Sequence, residues 1–269
     1  MENKLLPILI MSTFLYSESD GLGGIELTFG GGSVGSAVPD FKGAFYVNDA
    51  SASQSTYSFN ADVAGAESHT PINLGINANI GERLGMDLGK LDLSTSLAFG
   101  YSFLGNGAGV MNVQAVPGVG YTVSNFARLG IGFGIGLLEY QIDFDVERES
   151  TSDIFMTFDE TDINFDADGK ADATLKKSGL VTAPEFSLRL GPPGSMFGLQ
   201  IRYQQLTHSA TIEDPWQITF RETSESNDDP ASVTIDYEGQ YVSDAGTQFP
   251  TLDLSGGLIA LEVIFRFTD

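Results

Sequence analysis

The chain has 269 residues, of which 36 are acidic and 13 basic, so its formal net charge is −23. That balance excludes nucleic-acid binding through a basic face, because Lys and Arg supply the contacts to phosphate. The absence of Cys excludes disulfides and thiolate metal sites, and no run of about 20 apolar residues follows the N-terminus to form a spanning helix.

The first 19 residues are predicted to be an export signal. Lys4 gives a positive start, Leu5 to Tyr16 form an apolar stretch, and Ser17-Glu18-Ser19 places small residues at the positions preferred before a cleavage site. Cleavage before Asp20 then leaves residues 20–269 as one domain. The alternative is that this segment is a buried N-terminal strand or helix.

Eight segments alternate between apolar residues and polar or small residues. A period of two with one nearly continuous apolar face is typical of β-strands. In chain order these segments cover residues 25–30, 72–80, 90–103, 112–123, 128–137, 185–190, 197–204 and 257–267.

The last of these strands, Gly257 to Phe267, carries an apolar face and a second face with Glu262 and Arg266. Two opposite charges on one face suit the lumen of a small barrel whose outside contacts lipid. A strand of this kind near the C-terminus resembles the closing strand of bacterial outer-membrane β-barrels. In that family a terminal aromatic belongs to the signal read by the barrel assembly machinery, which implies this role for Phe265 and Phe267.

The connections between strands also follow the pattern of outer-membrane barrels, with short turns at one end and longer loops at the other. The short connections cover residues 82–89, 124–127 and 191–195. The connections at the other end differ greatly in length and cover residues 31–70, 104–109, 147–179 and 207–255.

The chain therefore resembles the small OmpA/OmpX/OmpW-type barrels. This resemblance implies an all-β fold, a transmembrane antiparallel up-and-down barrel of eight strands with long acidic extracellular loops, located in the bacterial outer membrane. Further alternating stretches, such as Trp216 to Arg221 and Val233 to Tyr241, leave open a barrel of ten to fourteen strands. We favour hairpins above the membrane, because their outward faces are poorer in apolar residues.

The fifth segment changes its hydrophobic phase. Its apolar residues occupy odd positions up to Leu137 and even positions from Tyr140 to Val146. A change of phase is what a β-bulge produces, so we predict a bulge near Leu138.

Charged residues on the inward faces are predicted to pair inside the barrel, because an isolated charge there carries a large desolvation cost. A selectivity ring in a pore is the alternative. The candidates are Glu26, Lys90, Asp92, Arg128, Glu185, Arg189, Arg202, Glu262 and Arg266.

Glycines on the inward faces admit two interpretations. They let a small barrel coil tightly and accept large neighbours, or they line a narrow conduit for small solutes. The clearest set is Gly130, Gly132, Gly134 and Gly136.

A calcium site is a weak candidate in the acidic connection 147–179. Asn164, Asp166, Asp168 and Asp172 have ligand-like spacing, but the position that needs a bidentate Glu holds Leu175. No other cofactor is expected.

Enzymatic activity is not expected. Outer-membrane lipid-modifying enzymes use a His with a Ser, and here His208 and Ser209 are adjacent on a strand and so face opposite ways. The sequence favours a structural or cell-surface interaction role, with a small porin or OmpW-like conduit as the first alternative and a lipid-modifying outer-membrane enzyme as the second. Outer-membrane lipid, the assembly machinery and an extracellular ligand or surface partner are the expected partners.

Overall fold

A computed structural model describes residues 25–48, 56–147, 155–192, 195–209, 215–223, 230–237, 240–243 and 252–267. The predicted export signal, residues 1–19, lies outside this part of the chain. The strands are β1 (Ile25–Gly35), β2 (Phe41–Asn48), β3 (Thr56–Val63), β4 (Ile72–Asn79), β5 (Leu91–Gly105), β6 (Ala108–Ser124), β7 (Ala127–Glu147), β8 (Phe155–Phe158), β9 (Thr161–Asn164), β10 (Lys170–Leu190), β11 (Phe197–Ser209), β12 (Gln217–Arg221), β13 (Ser232–Asp236), β14 (Gln240–Ser243) and β15 (Gly256–Arg266).

A short helix, α1 (Ile80–Arg83), follows β4. Among the described residues, no helix has the length and apolar character needed to cross a membrane.

Eight of the strands close an antiparallel barrel in the order β11–β15–β1–β4–β5–β6–β7–β10. Pairing of β10 with β11, as at Glu185 and Gln204, closes the ring. The N-terminal and C-terminal barrel strands are neighbours, with Glu26 opposite Arg266. The predicted eight-stranded antiparallel barrel is confirmed, and the described strands form no wider ring of ten to fourteen strands.

The additional alternating stretches are strands outside the ring. β12 and β13 extend the sheet from β10, where Asp172 lies opposite Arg221. β2, β3 and β14 form a three-stranded sheet, and β8 pairs with β9. We call the end of the barrel that carries these strands the upper end. Its apolar core includes Phe41, Phe45, Tyr140 and Trp216.

β7 and β10 pair without any shift of register over their whole shared length, from Glu147 opposite Lys170 to Ala127 opposite Leu190. The predicted bulge near Leu138 is therefore wrong. The strand keeps its phase, while its apolar side chains change from the outer face to the inner face. Ile131 is 59% exposed on the outside, whereas Ile142, further up, is fully buried on the inside.

The lower part of the barrel has an outward belt of exposed apolar side chains, which we call the apolar belt. Polar side chains face inward at the same level, the reverse of the usual pattern in water. The belt includes Leu27, Phe29, Ile72, Leu74, Leu91, Phe99, Leu129, Ile131, Phe133, Ile135, Leu137, Phe186, Phe197, Leu199, Ile201, Ile259 and Leu261.

Candidate functional site

The lower mouth of the lumen is crossed by ion pairs between distant strands. Glu26 on β1 contacts Arg189 on β10 at 2.6 Å and Arg266 on β15 at 2.8 Å. Asp92 on β5 pairs with Arg128 on β7. The carboxylate of Glu26 thus accepts hydrogen bonds from two guanidinium groups and links β1 to both β10 and β15.

A second polar cluster lies further up the same inward faces. Arg202 Nη2 lies 2.5 Å from Glu262 Oε1, and Arg202 Nη1 lies 3.9 Å from Glu185 Oε2. Gln200 donates to Glu262 at 2.9 Å and Gln204 donates to Glu185 at 2.9 Å. Arg202 and Glu262 are buried, so each depends on its partners for the hydrogen bonds that water would otherwise supply.

Glu262 and Glu185 are two of the inward charges expected to pair, and their positions in the sequence did not identify the partners. The structure brings both to Arg202, and assigns Arg189 and Arg266 to Glu26 instead. In the described lumen the carboxylates Glu26, Asp92, Glu185 and Glu262 are matched by the guanidinium groups of Arg128, Arg189, Arg202 and Arg266.

Apolar side chains follow this polar cluster on the inward faces of two neighbouring strands. On β11 the inward residue after Gln204 is Leu206, and on β10 the inward residues above Glu185 are Ala183 and Val181, all buried. Higher still, the rings of Phe41 and Tyr140 stack at 5.4 Å, and Trp216 lies edge-on to Phe41 at 5.4 Å. The upper end of the barrel is therefore filled by packed side chains.

The inward glycines of β7 lie against neighbouring groups. A Cβ at Gly136 would collide with the backbone carbonyl of Val113, and one at Gly134 with the amide of Gln114. A Cβ at Gly132 would lie 3.0 Å from Val116 Cγ1, and one at Gly130 would meet Ser187 Oγ. Close approach of neighbours thus accounts for the glycines at Gly134 and Gly136.

The remaining predicted positions lie at the rim of the barrel. Lys90 is exposed in the turn before β5, where its carbonyl accepts a hydrogen bond from the Thr122 amide at 2.8 Å. Phe265 and Phe267 are each 39% exposed, and the Phe265 ring meets Phe197 edge-on at 5.3 Å. Their role as an assembly signal stays a prediction.

The residues of the candidate calcium site have other partners or lie apart. Asn164 donates to Glu222, and Asp166 accepts hydrogen bonds from Lys170 and Thr223. Asp168 is exposed, and Asp172 lies on the outward face of β10. Within the described residues, no three carboxylate or histidine groups are placed to hold a metal ion. A looser calcium site stays a prediction.

An open groove of about 660 Å³ lies at the upper end, between β3 and the sheet of β7, β10 and β12. Its lining includes Asp62, Asp143, Asp145 and Asp172, with Arg221 as a cation. Partial burial, followed by the nearby charge of Asp145, raises the pKa of Asp172. The groove therefore carries an excess of negative charge.

His208 and Ser209, the pair considered from the sequence, do not face each other. His208 is buried and inward, whereas Ser209 is exposed on the outer face of β11. Sequence reasoning missed a different contact: His69 Nδ1 lies 2.6 Å from Ser102 Oγ, above the apolar belt. Ser102 is fully buried, so its hydroxyl is out of reach of a substrate. Burial lowers the pKa of His69 to about 4.

Comparison with known proteins gives only distant structural similarity. No family model matches the chain, and no curated protein does. A FadL homologue from Pseudomonas aeruginosa is 10% identical, with 91% of this chain and 90% of that chain covered and a TM-score of 0.27. The translocator domain of the autotransporter NalP from Neisseria meningitidis is 11% identical, with 98% and 95% covered and a TM-score of 0.26.

The toluene transporter TodX from Pseudomonas putida is 10% identical, with 91% of this chain and 68% of that chain covered and a TM-score of 0.25. TM-scores this low carry no argument about function, so the barrel architecture rests on the strand pairing of this chain. The narrower resemblance to OmpA/OmpX/OmpW-type barrels stays a prediction.

Removing the charge of Glu262 should destabilise the barrel. In Glu262→Gln the buried guanidinium of Arg202 loses its closest carboxylate, and breaking a buried pair costs about 3–5 kcal/mol. The urea midpoint of unfolding, followed by the mobility of unheated samples on gels, should fall. Glu139→Gln is the matched control, since Glu139 accepts a hydrogen bond from Ser178 on the outer face of the barrel. An unchanged midpoint in Glu262→Gln would show that the lumen charges are hydrated and independent.

Acid should weaken the fold through His69. Because its folded pKa is about 4 and its ordinary value is 6.5, the folded state resists protonation, and stability is lost as pH falls from 6.5 towards 4. The expected loss between pH 7 and pH 4 is on the order of 3 kcal/mol. His69→Gln should remove this contribution, which the difference between its pH profile and that of the parent measures. An identical pH profile in the parent and in His69→Gln would contradict the assignment.

Proposed function

We propose that the protein is an integral β-barrel of the bacterial outer membrane, with a structural or cell-surface interaction role and no catalytic activity. The observation that carries this proposal is the apolar belt around a lumen of paired charges. A continuous apolar surface of this extent promotes aggregation in water, whereas in a bilayer it is the surface that contacts lipid. Closure of the barrel also leaves no unpaired strand edge in the hydrocarbon region.

The change of pattern along β7 supports a membrane boundary near Leu137 and Leu138. Below this point the outward residues are apolar, and above it Asp143, Asp145 and Glu147 face outward and are exposed. The apolar core of the upper end then follows the ordinary rule for a domain in water. We therefore assign the upper strands and their acidic surface to the cell exterior.

The filled lumen supports a structural or interaction role over transport. Ion pairs cross the lower mouth, and Phe41, Tyr140 and Trp216 pack across the upper end. An extracellular partner would find its surface on the upper strands, where the acidic groove favours a cationic group. The remaining expected partners are outer-membrane lipid and the assembly machinery, with Phe265 and Phe267 as the groups presented to the latter.

A small solute conduit is the second candidate. It is favoured by a small cavity beside Gly130 and Gly132 in the lumen. A cavity of about 20 Å³ has room for roughly one water molecule, which falls short of a continuous path.

Conductance across planar lipid bilayers tests the choice between these functions. We expect no steady current from the folded parent, because ion pairs cross the lower mouth and packed side chains fill the upper end. Gly132→Leu should then reduce folding, since overpacking typically costs ~1–3 kcal/mol. Steady conductance in the parent, lowered by Gly132→Leu without loss of folding, would overturn the closed barrel in favour of the conduit.

A further inference from the structure

The connections at the lower end of the barrel expose large apolar side chains, which we call the apolar tips. Leu84 and Met86 lie in the connection between β4 and β5, Phe126 in the turn between β6 and β7, and Met196 just before β11. Leu84, Phe126 and Met196 are 67%, 57% and 58% exposed. Single exposed apolar residues are ordinary on a soluble protein, but here at least one occurs in each of the three lower connections.

The backbone at the apolar tips is held by hydrogen bonds. The Leu84 amide donates to the Ile80 carbonyl at 3.0 Å. The Phe126 carbonyl accepts a hydrogen bond from the Gly191 amide at 2.9 Å, which ties two of the lower connections together. The Met196 carbonyl accepts one from an amide of β15 at 2.9 Å. The exposure of the tips is therefore a feature of ordered turns.

The apolar belt continues down to these connections. Outward residues beside the connections are apolar and exposed, and they are Leu91, Val123, Leu129 and Phe197. The upper limit of the belt is different, because the outward residues of β7 above Leu137 are Glu139, Gln141 and Asp143. The surface that we assign to lipid thus ends in acids at the top and runs into the apolar tips at the bottom.

The lower connections carry no net charge, in contrast to the whole chain. The connection between β4 and β5 holds two acids and two bases, which are Glu82, Asp87, Arg83 and Lys90. Residues 125–126 and 191–196 include no charged side chain. Because the net charge of the whole chain is −23, the lower end is the part that can approach an anionic lipid headgroup with little repulsion.

We propose that the apolar tips insert into the phospholipid leaflet below the belt, at the boundary between headgroups and acyl chains. This inference rests on the proposed membrane location and deepens it, since the lower connections then lie in lipid and not in water. Segments that bind this boundary bury apolar side chains in it and keep charged groups at the headgroups. Leu84 and Met86 are the apolar groups of the β4–β5 connection, and Asp87 and Lys90 are its exposed charged groups.

Single spin labels at the tips test this inference, because the chain has no Cys of its own to compete for the label. Leu84→Cys and Phe126→Cys would be labelled in vesicles of phosphatidylethanolamine and phosphatidylglycerol. Labels at Ile135 and Asp143 on β7 are the lipid and water references. We expect both tip labels to collide with oxygen more often than with a water-soluble nickel chelate, as at Ile135. Asp87→Cys, on the same connection as Leu84, is the matched control and should admit nickel.

The references separate failure of this inference from failure of the proposed function. Nickel access at both tips, with oxygen access at Ile135, would overturn the inference and leave the membrane barrel standing. Nickel access at Ile135 would overturn both. Shielding of the tips that is lost when the lipid-to-protein ratio is raised would assign them to contact with a second copy of the chain, which also contradicts the inference. Gel mobility of unheated samples checks that each labelled variant is folded, and Met196→Cys replaces a tip variant that is not.

Discussion

One continuous sheet passes through two surroundings, and this constraint explains most of the molecule. Over the apolar belt, the barrel strands place most of their apolar side chains outside and polar or small groups inside, although a few buried apolar residues such as Val116 and Ile264 also face inward. Along β7 the same regular strand later places Tyr140 and Ile142 inside and Asp143 outside. Backbone geometry is the same in both parts, so the inversion reflects what contacts the outer face. The proposed membrane location, with lipid below and water above, accounts for both patterns without any irregularity in the strand.

Inside the belt, charge matching follows from the same constraint. Because these groups are buried, bulk water does not supply their hydrogen bonds. Each buried carboxylate therefore needs a cation, and each guanidinium needs hydrogen-bond acceptors. Glu26 meets this need through two arginines from β10 and β15, which ties together strands from both ends of the chain. Arg202 bridges Glu185 and Glu262 one level higher. The lumen is therefore a structural element that holds the ring closed, with a small amount of space left beside the glycines.

Part of this was predictable from local sequence and part was not. The alternation around Leu129 to Leu137 and in the last strand predicts both strands and barrel, because period-two patterning is a local property. The partners of Glu26 were not predictable, since Arg189 lies 163 residues away and meets it only through the stagger of the closed ring. The contact of His69 with Ser102 was missed for the same reason. The predicted bulge was wrong because a hydrophobic phase change records a change of surroundings as readily as a change of backbone.

Site-directed spin labelling in lipid vesicles can locate the membrane boundary that we propose near Leu137 and Leu138 on β7. Single labels at Ile135 and Asp143, both on the outward face, would be compared for collision with oxygen, which concentrates in lipid, and with a water-soluble nickel chelate. We expect the label at Ile135 to be accessible to oxygen and shielded from nickel, and the label at Asp143 to show the reverse. Nickel access at both positions, or oxygen-dominated access at both, would contradict a membrane boundary between them.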